Sequence, residues 1–170
     1  MTDLPVDVIR STRRKRTAQA YESDGRLRVL IPAGLDPERE QRIVEELVAR
    51  ANRKMVSREI DLVQRAHLLA DRYDLPRPLS VVWSDRQMKR WGSCTPSAGR
   101  IRISRRLATM PEWVLDSVLV HELAHLAVPG HGKDFKALVA RYAPTERARG
   151  YLMAKDEERG RRQEDAPPPP

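Results

Sequence analysis

The beginning of the chain alternates apolar and polar residues, as β-strands do. Val6 and Val8 alternate with the polar residue Asp7, and residues 27–31 (LRVLI) alternate more clearly. Between them, Ser23-Asp24-Gly25 has the composition of a hairpin turn. The pattern therefore predicts β-structure over residues 5–32.

Two helical patterns follow. Asp36 is suited to accept hydrogen bonds from the first turn of a helix, and Pro37 lies where no backbone N–H is needed. A first helix is therefore predicted to begin near Asp36, and a second helical stripe follows it. The apolar residues at helical spacing are Ile43, Val44, Leu47 and Val48 in the first helix, and Ile60, Val63, Ala66, Leu69 and Ala70 in the second.

A second β-region precedes the most informative helix. Residues 79–83 (LSVVW) are typical of a strand, and residues 91–104 predict a hairpin with a turn at 96–99. The next helix is expected to begin at Thr109, because Thr109 and Glu112 have the spacing of a capping box. Further helices are expected over 133–142 and 145–158.

The composition limits the class of protein. The chain has 170 residues, with 32 Lys and Arg against 24 Asp and Glu, a net charge of +8. This charge suits contact with nucleic acid or an anionic protein surface, although it also serves solubility alone. The single cysteine, Cys94, excludes an internal disulfide. We expect one domain over residues 1–158 and a disordered, charged and proline-rich tail over 159–170.

No segment has the character of a targeting or membrane sequence. No apolar core of a signal peptide follows Met1, and no stretch approaches the ~18 apolar residues of a membrane span. We therefore expect a cytoplasmic protein without a membrane partner. The oligomeric state is left open by the sequence.

The segment His121-Glu122-Leu123-Ala124-His125 carries the candidate chemistry. Two histidines four positions apart on a helix project from one face, so both imidazoles can reach one metal ion at ~2.1 Å. Glu122 lies on the neighbouring flank, where a carboxylate can take a proton from a metal-bound water. The pattern predicts a catalytic zinc site with Glu122 as the general base.

A catalytic zinc ion usually has three protein ligands, and His131 is the candidate for the third. On an unbroken helix His131 would lie ~15 Å from His121 and face another direction. Pro129-Gly130 immediately precedes it and can end the helix and reverse the chain. We therefore predict that His121, His125 and His131 hold the metal. Asp134 and Glu146 are the alternatives if His131 is not a ligand.

These motifs give the sequence a family resemblance. Four segments carry it: Arg90-Trp91-Gly92-Ser93-Cys94, Arg102-Ile103-Ser104, VHELAHL, and residues 131–135 (HGKDF). Over about residues 5–145 the chain resembles the YgjP-like metallopeptidases. The chain is more distantly similar to SprT-like and WLM-domain proteases. The resemblance implies an α+β, zincin-like fold: a small, mostly antiparallel sheet, an HExxH helix and further packed helices. It implies the same three ligands and the same base. Metzincins share the ligand spacing but have glycine where this chain has Val128, so their fold is not expected.

The expected activity is zinc-dependent hydrolysis of peptide bonds, with a peptide or protein substrate. One alternative is a metal-dependent hydrolase of nucleotides or other phosphoanhydrides. Another is a nucleic-acid-associated protease, for which residues 13–16 (RRKR) and the arginines near the end of the chain provide basic charge. The residue that stabilises the oxyanion is left open among Lys133, Arg141 and Tyr142.

Two roles are open for residues 90–94. The segment can bind substrate, with Arg90 contacting a carboxylate or phosphate and the strand pairing with an extended peptide. Alternatively it is structural, with Trp91 packed into the core and Gly92 marking a bulge. We favour the structural role for Trp91 and leave Arg90 open. Cys94 is expected to be a small buried thiol rather than a fourth ligand.

Overall fold

The computed structural model describes residues 4–164, and the side chains of residues 4–161. Its contacts divide the chain into two compact units, Met1–Ile60 and Asp61–Pro170. The single domain over residues 1–158 stays a prediction. Within the described residues, no helix combines the length and apolar character needed to cross a membrane.

The first unit is a three-stranded sheet covered by one helix. Its strands are β1 (Val6–Ser11), β2 (Gln19–Ser23) and β3 (Arg26–Pro32), in the order β1-β3-β2. The expected hairpin joins β2 and β3, whereas β1 pairs with β3 in parallel. The central strand β3 provides a buried core against helix α1 (Pro37–Glu59). That core contains Leu27, Val29 and Ile31, with Ile43, Val44, Leu47, Val48 and Ala51 of the helix packed on it.

The start of α1 agrees with the sequence. The Asp36 carboxylate accepts hydrogen bonds from the backbone N–H groups of Glu38 and Arg39, at 3.1 and 3.2 Å, and Pro37 opens the first turn. These contacts satisfy donors that would otherwise lack a partner at the helix terminus. The predicted cap is therefore confirmed.

The second unit contains a second three-stranded sheet. Helix α2 (Leu62–Tyr73) leads into strands β4 (Ser80–Ser84), β5 (Gly92–Thr95) and β6 (Arg100–Ser104), in the order β4-β6-β5. The predicted hairpin of β5 and β6 is present, and β4 pairs with β6 in parallel. The α+β class is confirmed. Each sheet has one parallel and one antiparallel pairing, where the sequence predicted a mostly antiparallel sheet.

Helix α3 (Glu112–Ala127) is the centre of the second unit. It packs against α2, β5 and two later helices, and it buries residues on nearly all sides, among them Leu115, Leu119 and Leu123. The capping box predicted at Thr109 is wrong, because Thr109 ends a short 3₁₀ segment and Pro111 is the residue that precedes the helix. The backbone N–H of Met110 is already bonded to Leu107, and this closes the 3₁₀ turn.

Two helices complete the second unit. Helix α4 (Lys133–Val139) is three residues shorter than the predicted 133–142, and α5 (Thr145–Glu164) is longer than the predicted 145–158. Residues 159–164, which were expected in the disordered tail, are therefore helical in the structure. The rest of that tail, residues 165–170, lies outside the described residues.

Candidate metal centre

Helix α3 positions the first two histidines of the motif. His121 and His125 are one turn apart on the same helix, and both are partly exposed while the three residues between them are buried. A helix that is apolar on almost every side is fixed in the protein interior, so the open face at His121 and His125 is held in one orientation. That face is turned towards the third histidine of the motif.

The end of α3 brings His131 back towards the helix. The helix ends at Ala127, and the N–H of Val128 donates to the carbonyl oxygen of Ala124 at 3.0 Å. Gly130 then has φ +75, a left-handed conformation that glycine adopts without steric cost. The reversal predicted from Pro129-Gly130 is therefore present in the structure.

The three histidines meet at their Nε2 atoms. The Nε2 of His131 lies 3.2 Å from that of His125 and 3.3 Å from that of His121. Their ligand atoms all lie within 4.8 Å of one another. Four-coordinate zinc with ~2.1 Å bonds to nitrogen requires donor atoms ~3.4 Å apart. Two of the three separations are close to that distance, so these residues could hold a metal ion.

The surroundings of His121 and His125 favour the form of the imidazole that binds metal. Burial, together with the positive charge that His125 and His131 would carry, lowers the pKa of His121 to about 4. Burial also lowers the pKa of His125, against a hydrogen bond to Val128 that raises it. A neutral imidazole has a free lone pair, so it is the form that ligates a metal.

Two neighbours set the orientation of these rings. The Nδ1 atom of His125 lies 3.4 Å from the carbonyl oxygen of Val128, which leaves Nε2 directed at the cluster. Phe135 of α4 is buried beneath all three imidazoles, with ring centroids 4.3 Å from His125, 4.8 Å from His121 and 4.7 Å from His131. The sequence did not identify this role for Phe135. Its position one helical turn after His131 was the available signal.

Glu122 lies beside the cluster and is 5% exposed. Burial, partly opposed by the charge of Arg90, raises the pKa of its carboxyl group to about 7. A carboxyl group with a pKa near neutrality can both accept and return a proton at physiological pH. Strand β5 passes close to this carboxyl group at Gly92, where the absence of a side chain leaves room for it.

A cavity of about 850 Å³ opens over these residues. All three histidines and Glu122 line it, as do Arg90 and Trp91 from the segment before β5, Cys94 from β5, and Arg149, Leu152 and Asp156 from α5. The three oxyanion candidates named from the sequence are not among its lining residues. Tyr142 is buried with its hydroxyl group donating to the carbonyl oxygen of Trp113, and Arg141 donates to the carbonyl oxygens of Tyr73 and Asp74.

Residues 90–94 form one wall of this cavity. Trp91 is half-buried rather than packed in the core, and its Nε1–H donates to Asp156 of α5 at 2.9 Å. Cys94 is also half-buried, and burial raises the pKa of its thiol to about 11, with a further contribution from the charge of Glu122. Among the described residues, the donor cluster contains the three histidines and not Cys94.

One comparison with known proteins identifies a family. The family model of the YgjP-like metallopeptidase domain matches residues 9–154. No curated protein matches the chain. Among solved structures, the metallopeptidase zymogen of Pyrococcus abyssi abylysin is similar, at 25% identity and a TM-score of 0.49, over 55% of this chain and 94% of that chain. Because the family model covers most of the sequence, the chain belongs to the YgjP-like metallopeptidase family and is a hydrolase of that class.

Proposed function

We propose that this metallopeptidase uses zinc, held by His121, His125 and His131, and that Glu122 is the general base and acid of peptide hydrolysis. The observation that carries the proposal is the spacing of the three Nε2 atoms, 3.2 and 3.3 Å along two sides. Sites made of three histidines with an open fourth position are typical of catalytic zinc.

The metal and the protein have separate roles in the proposed reaction. When bound, zinc acts as a Lewis acid that acidifies a water molecule and polarises a carbonyl oxygen. Glu122 accepts the proton of the attacking water and then delivers it to the leaving amine. Both transfers are within the chemistry of a positioned carboxyl group.

The cavity supplies the place for the substrate. It exposes the open side of the histidine cluster, and strand β5 forms the edge of its sheet along one wall. An extended peptide in such a cleft can form main-chain hydrogen bonds with an edge strand, which places a scissile carbonyl against the metal position.

Metal-dependent peptide cleavage tests the proposal. The purified protein would be analysed for metal content, stripped with a chelator, and incubated with a diverse peptide mixture before and after zinc is restored. We expect about one zinc ion per chain and cleavage only by the metal-loaded protein. Zinc-dependent hydrolysis of nucleoside triphosphates with no cleavage of any peptide would overturn it in favour of the phosphoanhydride alternative.

A further inference from the structure

Residues 85–91, between β4 and β5, form an irregular segment whose backbone is held in place at several points. The Ser104 hydroxyl group donates to the carbonyl oxygen of Gln87 at 3.1 Å, and Arg106 donates to that of Arg90 at 3.2 Å. Arg159 of α5 donates to the carbonyl oxygen of Met88. Because these partners come from two different parts of the second unit, the path of the segment is well defined.

The last residue of this segment, Trp91, is fixed on both sides. The guanidinium carbon of Arg106 lies 3.7 Å from the centroid of the indole ring, a cation–π contact. Asp156 accepts the indole N–H at 2.9 Å and lies 3.7 Å from Arg106 as an ion pair. The negative charge of Asp156 is therefore already engaged within the wall of the cavity.

Arg90, which precedes Trp91, differs from these residues. Its side chain is exposed and lines the cavity together with Glu122. No hydrogen bond or ion pair joins its guanidinium group to any other residue that the structure describes, although its backbone is anchored by Arg106. The fixed segment thus presents to the site an exposed guanidinium group that makes no hydrogen bond or ion pair with the described residues, and whose charge acts on Glu122.

Arg149 is the other arginine that lines the cavity, and it is placed differently. It lies on α5, on an exposed part of the helix, and its closest acid is Glu146 at 3.9 Å. Among the described residues, no hydrogen bond or ion pair from outside α5 holds the Arg149 side chain in place. Arg149 therefore serves as a matched control for a positive charge in the same cleft.

Resting on the proposed peptidase function, we infer that Arg90 is a specificity-determining residue that binds a carboxylate group of the peptide substrate. That group is either an aspartate or glutamate side chain or the C-terminal carboxylate. Guanidinium and carboxylate groups form two parallel hydrogen bonds, and an anchored backbone reduces the entropy lost when they form. Arg90 is therefore placed to pair with a carboxylate group of the substrate.

Binding to an inactive protein tests this assignment separately from catalysis. In the Glu122→Gln background, a peptide library would be probed in matched pairs, with Glu against Gln, Asp against Asn, and a free C-terminus against an amide. We expect at least one acidic member to bind about tenfold more tightly than its neutral partner. The type of pair that responds identifies the source of the carboxylate.

Substitutions of Arg90 then decide the outcome. Arg90→Gln should reduce the tenfold preference to about one, Arg90→Lys should retain part of it, and Arg90→Glu should favour lysine-containing peptides. Arg149→Gln should leave the preference intact. Equal binding of both members of every pair, or a preference lost with Arg149→Gln rather than with Arg90→Gln, would overturn the inference. These results do not depend on hydrolysis, so a failure of the proposed catalytic function would be seen independently in the zinc-dependent cleavage assay.

Discussion

The backbone of Gly92 lies directly against the carboxyl group of Glu122. A Cβ atom at Gly92 would lie 2.5 Å from Oε1 of Glu122, 2.8 Å from Cγ and 2.9 Å from Cδ. These distances are shorter than a carbon atom can tolerate, so a residue with a side chain cannot occupy this position while Glu122 keeps its place. The glycine of β5 therefore determines where the carboxyl group can lie.

Replacing Gly92 with alanine should inactivate the enzyme while leaving its metal in place. Pairing with β6 holds the backbone of β5, so the flexible Glu122 side chain is the part that moves. A displacement of about 1 Å at a catalytic group reduces the rate by about 10²-fold. Peptide cleavage and zinc content would be measured together.

Gly150→Ala is the control for Gly92→Ala. Gly150 lies within α5, and an added Cβ would meet no atom within 4 Å. Its activity should equal that of the wild type, and its stability should be unchanged or higher by about 0.5–1 kcal/mol. Full activity of Gly92→Ala would show that the position of Glu122 does not depend on this contact.

Alanine at any one of the three clustered histidines should remove most of the bound metal. Each substitution deletes one of the three nitrogen donors, and two imidazoles do not form a tight tetrahedral site. His67→Ala is the matched control, because His67 lies on α2 and contacts the carbonyl oxygen of Pro78 at 3.3 Å. Elemental analysis checks the series. Full zinc content in His131→Ala would exclude His131 as the third ligand and make Asp134 or Glu146 the candidate.

Phe135 should matter for metal affinity although it provides no ligand. It is buried against all three imidazoles, so truncation to alanine leaves a cavity beneath them and costs about 3–5 kcal/mol of stability. Phe135→Leu keeps most of the volume and should cost less. Thermal unfolding and zinc titration of both variants measure the two effects. Unchanged zinc affinity in Phe135→Ala would mean that the rings are oriented by other contacts.

The features that the sequence predicted correctly rest on local signals. Asp36 and Pro37 mark a helix start by their own chemistry, and Gly130 marks the turn that returns His131 to the helix. The hairpin of β5 and β6 was visible from alternation and from its turn residues. In each case the residues that determine the structure are close together in the chain.

The features that the sequence did not predict depend on distant contacts. The parallel pairing of β1 with β3, and of β4 with β6, joins strands that no short turn connects. The placement of Phe135 under the histidines depends on α4 packing against α3. Similarly, α5 supplies a wall of the cavity and anchors Trp91 through Asp156, a residue 65 positions away. Alternation and helical spacing contain no information on such pairings.

The most direct test of the account is the Glu122→Gln substitution. Glutamine keeps the shape of the side chain but cannot accept the proton, and Glu122 is not one of the three clustered ligands. The control is Glu112→Gln on the same helix, where the carboxylate is 84% exposed and pairs with Arg65.

Zinc content and peptide cleavage would be measured for both variants. We expect Glu122→Gln to retain about one zinc ion per chain and to lose about 10²–10⁴-fold in cleavage rate, with Glu112→Gln unaffected. Full cleavage activity in Glu122→Gln would contradict its role as general base, and loss of zinc from that variant would contradict its placement beside the metal rather than on it.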